Sequence, residues 1–290
     1  MAGAHGCGYH DVMSSTSVGS LLRDWRAARG LSQLDLAMRA GFSSRHVSFI
    51  ETGRTQPSRQ ALLAIAETLD VPLRDRNRLL EAAGFAHVYR HTPLAAEEMR
   101  HVRGVLQFIL DRHEPYGAVV LDRYSNLMMA NAAASRLLGG LVEPSFLAGT
   151  PNLLRIVFHP RGLRACIVNW EEVAGHLLAR AERELCQYHG DNEGAALLAE
   201  IRGYDDGPRA HAPASIRPVD LLLPVHIRKD GVDLRMFSAI MTLGSPQDVT
   251  LQELRVETFF PADETSEARM RGLPTAPADR TSDPASRALP

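Results

Sequence analysis

Apolar positions in the first third of the chain recur at helical spacing. Leu21, Leu22 and Trp25 form a stripe that Gly30 ends. Ser32 has the chemistry of a cap for a second helix through Ala40, closed by Gly41. Ser43 caps a third that runs to about Thr52, with Gly53 as its stop. Ser58 caps a fourth that keeps Leu62, Ile65, Ala66 and Leu69 on one face. Pro72 falls in the first turn of a fifth, which carries Leu79, Leu80 and Ala83 to Gly84. Residues 1–17 have no apolar period and are expected to form a disordered lead. The period is lost again between Phe85 and Pro93, where a linker over residues 86–93 is expected.

Beyond Pro93 the pattern mixes helical and alternating segments. A helix is expected from Pro93 to about His113, then strands over Ala118–Asp122 and Leu127–Ala130. Asn131 caps a helix from Ala132 to Leu138, and further helices are predicted at 153–158, 170–188 and 193–202. Gly203–Pro213 reads as a loop. Strands return at Leu221–Arg228, Leu234–Leu243 and Leu254–Phe260, the first two joined through the turn Lys229-Asp230-Gly231. From 264 to 290 the composition predicts a mostly disordered tail. The expected fold class is an all-α five-helix domain over 18–85, followed by an α+β domain over 94–263 with an antiparallel sheet covered by helices.

Composition narrows the function classes. At 290 residues, 45% hydrophobic and 23% charged, the chain has a globular composition with room for two cores. Its longest apolar runs fall far short of the ~18 residues of a membrane span, and no basic-then-apolar start suggests secretion. A cytoplasmic protein with no membrane partner is expected. Cys7, Cys166 and Cys186 have no metal-ligand spacing and are expected to be unpaired thiols, and the loose His5, Cys7, His10 group is assigned no role. The net charge of -2 conceals an asymmetry: between Val18 and Arg90 the arginines outnumber the acids, so a basic module sits on an acidic body.

The second and third predicted helices, separated by Gly41-Phe42, have the short turn of a helix-turn-helix, in which the second helix of the pair enters the major groove. The stretch Leu31-Ser-Gln-Leu-Asp-Leu-Ala37, Gly41, Val47-Ser48 and Glu51-Thr-Gly53-Arg54 resembles the repressor-like family that includes lambda repressor and the Xre regulators. The resemblance implies double-stranded operator DNA as a partner. It implies a phosphate contact for Gln33, base or phosphate contacts for Ser43, Ser44, Arg45, His46 and Ser48, and backbone clamps at Arg54 and Arg59. Arg45 has the bidentate fork that matches guanine O6 and N7. Glu51 is expected to pair within the domain. Leu34 departs from the family, which more often has a charged residue there, and suits a covered helix face.

In the second domain, the expected strand, turn, strand and Asn-capped helix resemble the opening of a PAS-type domain, and such a layout leaves an apolar cavity between sheet and helices. Glu114-Pro-Tyr-Gly117, Asp122-Arg123, Asn131-Ala-Ala133, Asn152-Leu-Leu-Arg155, Phe158-His-Pro160, Asn169-Trp170 and Phe259-Phe-Pro-Ala-Asp263 resemble the ligand-binding domain of MmyB-like regulators. That resemblance implies a PAS-like pocket for a fatty acid or similar acyl ligand, with no required cofactor. The apolar candidates for its wall are Val120, Met128, Leu137, Leu138, Ile156, Met236 and Phe237. Arg155 is the candidate for a ligand carboxylate, with His159, Asn169 or Trp170 beside it in the motif. Against this stand a core role for the apolar residues and an internal ion pair for Arg155.

No nucleophile motif, zinc-protease motif or phosphate loop accompanies Cys166, Cys186, His159, His176 or His189, so no enzyme is expected. The combined expectation is a homodimeric, ligand-sensing regulator. The alternatives are a DNA-binding protein whose second domain only dimerises and an enzyme tethered to a helix-turn-helix.

Overall fold

A computed structural model describes residues 17–185, 191–204 and 222–272. Cys7, Cys186, His189, the lead before Ser17, most of the expected 203–213 loop, Leu221 and the tail beyond Gly272 lie outside the described residues. The chain divides into two compact units. The first contains residues up to His91 together with residues 245–252, and the second contains residues 92–244 and everything from Glu253 onward.

The first unit opens with α1 (Val18–Ala28), α2 (Gln33–Ala40), α3 (Ser44–Glu51), α4 (Arg59–Thr68) and α5 (Leu73–Ala82). Local chemistry sets these boundaries. Ser32, Ser43 and Ser58 each accept the backbone N–H three residues on, and Ser32 forms a reciprocal capping box with Asp35. Gly41 ends α2 at φ 75°, a left-handed conformation that costs glycine nothing. Leu22, Trp25, Leu36, Val47, Ile50, Leu62, Ile65, Leu69, Leu79 and Leu80 make one buried core. At Gly19 a side chain would stand 2.5 Å from the Ile50 carbonyl oxygen, so glycine is what lets α1 lie directly on the end of α3.

Within the expected linker, residues 88 and 89 are docked on α5. The buried Asn77 side chain accepts from Val88 N–H and Tyr89 N–H at 3.1 Å each and donates to the Tyr89 carbonyl at 2.7 Å. Arg76 donates to the Tyr89 hydroxyl at 3.2 Å. Residues 245–252, which the sequence reading assigned to the second domain, complete this first unit. Pro72 offers α5 no side-chain cap, and the missing acceptor comes from Gln252, whose Oε1 takes the Leu73 N–H at 2.7 Å. Val249 N–H donates to the Arg90 carbonyl at 2.8 Å.

In the second unit the helix expected from Pro93 starts later. A 3-10 turn at Glu97–Met99 leads into α6 (Arg100–Arg112). β1 (Ala118–Leu121) and β2 (Leu127–Ala130) follow, then α7 (Ala132–Leu141), α8 (Leu153–Phe158), α9 (Trp170–Leu185) and α10 (Asn192–Gly203). β3 (Val225–Lys229) and β4 (Val232–Met241) form a hairpin whose two turn residues, Asp230 and Gly231, both have positive φ, as an Asp-Gly turn prefers. The chain then passes through α11 (Val249–Glu253), most of which belongs to the first unit, and returns as β5 (Arg255–Pro261).

The five strands form one antiparallel sheet in the order β2-β1-β5-β4-β3. Asn131 ties its opening together. Its buried Oδ1 accepts from Ala118 N–H at 3.0 Å and caps α7 through Ala134 N–H at 2.9 Å, while its Nδ2 donates to the Tyr116 carbonyl at 2.7 Å. The start of the expected disordered tail is instead α12 (Glu264–Gly272), which packs on β4 and β5 and buries Met270.

Candidate functional site

The reading edge of the first unit is built on α3. Val47 and Ile50 face the core, which leaves Ser43, Ser44 and Arg45 exposed, with His46 and Ser48 half-buried beside them. Ser43 is also the helix cap. The His46 ring lies 5.4 Å from that of Phe42. Phe49, which the sequence reading passed over, carries the arginines: Arg45 sits 5.0 Å and Arg54 5.7 Å from its ring centroid. Two guanidiniums are thus held on one aromatic residue at the exposed edge. Its signal in the sequence was an aromatic residue one helical turn after Arg45. Arg59 is exposed as the first residue of α4.

Beneath that edge lies a buried ion pair. Glu51 Oε1 is 2.6 Å from Arg26 Nε, and its Oε2 accepts from Arg26 Nη2 at 2.9 Å and from Gln33 Nε2 at 2.8 Å. Burial opposes ionisation of Glu51, but the hydrogen bonds from Arg26 and Gln33 and the charges of Arg26 and Arg23 outweigh it and hold the carboxyl below its ordinary range. Glu51 therefore pairs within the domain as expected. Gln33 is oriented by the same pair, with one amide hydrogen committed to Glu51.

The second unit contains a partly open cavity of about 130 Å³ between the sheet and helices α7, α8 and α9. By water-sized volume that is room for on the order of ten such groups. Its wall is chiefly apolar, and Leu137, Leu138, Met236 and Phe237 line it. Val120, Met128, Ile156, His159 and Trp170 do not. On β1 the wall residues are Val119 and Leu121, because alternate side chains of a strand face opposite sides. Val120 is just as buried on the other side. Met128 is exposed on β2, and Ile156 is buried in the neighbouring core. Trp170 packs edge-on against Phe158, and the His159 ring lies between Phe146 and Tyr204 at 4.9 Å from each. Asn169 bonds to the backbone of β3 and the residue before it.

Arg155 does not line the cavity either. It faces Glu200, with Nε 2.9 Å from Oε1 and Nη2 2.8 Å from Oε2. The hydrogen bond from Arg155 comes first among the influences that keep the Glu200 carboxyl below its usual range. The polar part of the wall consists instead of residues that sequence reasoning missed. Arg180 and Glu184 sit one turn apart on α9, Arg180 meets Glu257 of β5, Arg123 and Ser125 approach from the turn after β1, and Ser238 adds a hydroxyl from β4. Arg180 lies 3.2 Å from both Glu184 and Glu257. Burial works against the Arg180 charge, yet Glu257 and Glu184 raise its pKa above the ordinary value.

Among the described residues no group of His, Cys, Asp and Glu could hold a metal, and no helix is long and apolar enough to cross a membrane.

These units define a helix-turn-helix DNA-binding transcription regulator with a ligand-binding domain. Residues 102–273 match the family described as MmyB-like transcription regulator ligand binding domain, and residues 17–79 match a helix-turn-helix domain. The chain belongs to the MmyB-like transcription regulators. No curated protein matches it. Among solved structures it is similar to the restriction-modification controller protein C.AhdI from Aeromonas hydrophila, with 33% identity over 22% of this chain and 96% of that one, at a TM-score of 0.21. It is also similar to the clp gene regulator ClgR from C. glutamicum, with 30% identity over 26% of this chain and 94% of that one, at a TM-score of 0.22.

Proposed function

We propose that the protein is a cytoplasmic homodimer that reads a two-fold operator with its α3 edges and adjusts its grip when an acyl-chain ligand, a fatty acid or similar compound, fills the cavity of a PAS-like second unit. The observation that carries this reading is the cavity, whose wall is apolar apart from the Arg180 cluster, Arg123, Ser125 and Ser238. The central helices between two opening and three closing strands support the PAS-like description. Exposed Arg45 and Arg54 on Phe49, with Ser44 and His46 at the helix start, supply base and phosphate contacts. Gln33 has a second amide hydrogen for a phosphate, and Arg59 adds a cation to the backbone clamp. Exposed Val105 and Phe108 on α6 offer apolar surface for a second copy. No catalytic constellation enters this reading.

Coupling has a covalent route. The chain passes between the units at 91–92, 244–245 and 252–253, and the last two crossings connect directly to the wall strands β4 and β5. The ligand must favour one dimer geometry, since equal affinity for both moves no population.

The test has two parts: solvent extraction of purified full-length protein with mass spectrometry of the extract, and titration of a selected operator before and after delipidation. A co-purifying acyl compound that changes operator affinity supports the reading. An empty extract, together with affinity indifferent to added acyl compounds, would reduce the second unit to a dimerisation module.

A further inference from the structure

The polar part of the cavity wall determines what head group a ligand can bring. Every arginine of that wall is already matched by carboxylates. Arg180 stands between Glu257 and Glu184 at 3.2 Å from each, and Glu184 is shared with Arg255. Arg123 meets Asp191 and Glu253. Glu257 is only 5% exposed, and it is held opposite Val119 of β1 by the strand register. Glu257 therefore cannot retreat into solvent without moving the sheet.

An incoming carboxylate would add a third anion to a cluster in which Arg180 and Arg255 already balance Glu257 and Glu184, and it would lose its hydration with no further cation in the cluster to offset the cost. An incoming ammonium would add an unbalanced cation beside Arg180 and Arg255, at the same desolvation cost. A neutral group that both donates and accepts hydrogen bonds faces neither penalty. It can give a hydrogen to a second carboxylate lone pair, take one from a guanidinium N–H, and leave the ion pairs standing. Resting on the ligand-sensing reading above, we infer that, among the acyl-chain compounds that reading admits, the cavity takes those with an uncharged amide- or hydroxyl-type head in preference to the free fatty carboxylate.

The test is calorimetric titration of the delipidated full-length protein at neutral pH with octanamide, 1-octanol, octanoate and octylamine. These chains match the room for on the order of ten water-sized groups. Octanamide or octanol is expected to bind at least about tenfold tighter than either charged probe, a difference of about 1.4 kcal/mol. Octanoate or octylamine binding as tightly would overturn the head-group inference and leave ligand sensing in place. No binding by any probe would overturn both. Glu257→Gln removes one negative charge beside Arg180 and is expected to shift the preference toward octanoate. Glu184→Gln, at a more exposed position, is the second variant should the first fail to fold. An unchanged ranking in a folded variant would also overturn the inference.

Discussion

The Arg45 guanidinium lies 5.0 Å from the Phe49 ring centroid, one helical turn along the same exposed edge. The ring limits where the guanidinium can swing before DNA arrives. Phe49→Leu keeps the half-buried apolar bulk but removes the aromatic face. Each lost cation–π contact at an exposed site is worth about 0.5–1 kcal/mol. Operator affinity is expected to fall roughly two- to fivefold per contact, with an unchanged circular dichroism spectrum. Wild-type affinity in a folded Phe49→Leu variant would refute this role.

The two arginines on that ring should separate by function. Arg45→Ala is expected to cost about 1–3 kcal/mol on operator DNA and to relax specificity at one base pair. Arg54→Ala should weaken operator and random DNA alike and lower the salt slope by about one unit. Competition titrations at several salt concentrations distinguish the outcomes. Equal losses on both DNAs for Arg45→Ala would contradict base reading.

Removing the Glu51 carboxylate strands Arg26 beside the core. Glu51→Ala is expected to destabilise the protein by about 3 kcal/mol, at the low end for a broken buried pair because Arg26 keeps some access to water. The pH dependence follows from the depressed folded pKa. The pair's stabilisation is fully present above the unfolded carboxylate pKa of about 4.3 and is lost as pH falls through the lower folded value. Denaturant melts of wild type and Glu51→Gln should therefore converge on acidification; a gap that stays constant with pH would rule the linkage out.

Arg155 and Leu177 give opposite expectations in the second unit. Arg155 meets Glu200 away from the cavity wall, so Arg155→Ala should leave ligand affinity unchanged and cost under about 1 kcal/mol, as half-exposed pairs do. Leu177 does line the wall, and Leu177→Trp should fill the cavity and abolish binding of an eight-carbon probe while the protein stays folded. Calorimetry on both variants is the check, and undiminished binding by Leu177→Trp would place the ligand elsewhere.

Asn77 holds residues 88 and 89 by three hydrogen bonds. Asn77→Ala orphans those backbone groups and should cost about 2–3 kcal/mol. It should also weaken the effect of ligand on operator affinity, expected at about 1–3 kcal/mol in the wild type. Operator titrations with and without ligand measure it, and full coupling in the variant would show that the docked segment transmits nothing.

What was legible in the sequence was local. Ser32, Ser43, Ser58 and Asn131 announce helix starts because a cap is made within three residues of itself. The Asp230-Gly231 turn is legible for the same reason. The face of β1 was not, since all four of its residues are buried and no alternation remains to read. α12 was missed because Ser266 and Met270 are its buried residues, too few for a stripe. Arg155 was assigned to the ligand because Glu200, its partner, lies 45 residues away. The Arg180 and Glu257 pair spans 77 residues and has no local signature.

The cap that Gln252 supplies to α5 crosses 179 residues of sequence. The DNA reader is therefore encoded in two separate stretches of the gene, with most of the sensor written between them. A single recombination event in the linker would deliver a reader without its closing piece and a sensor with a surplus one. A reader transferred without residues 245–252 would leave the Leu73 N–H at the start of α5 without its Gln252 acceptor.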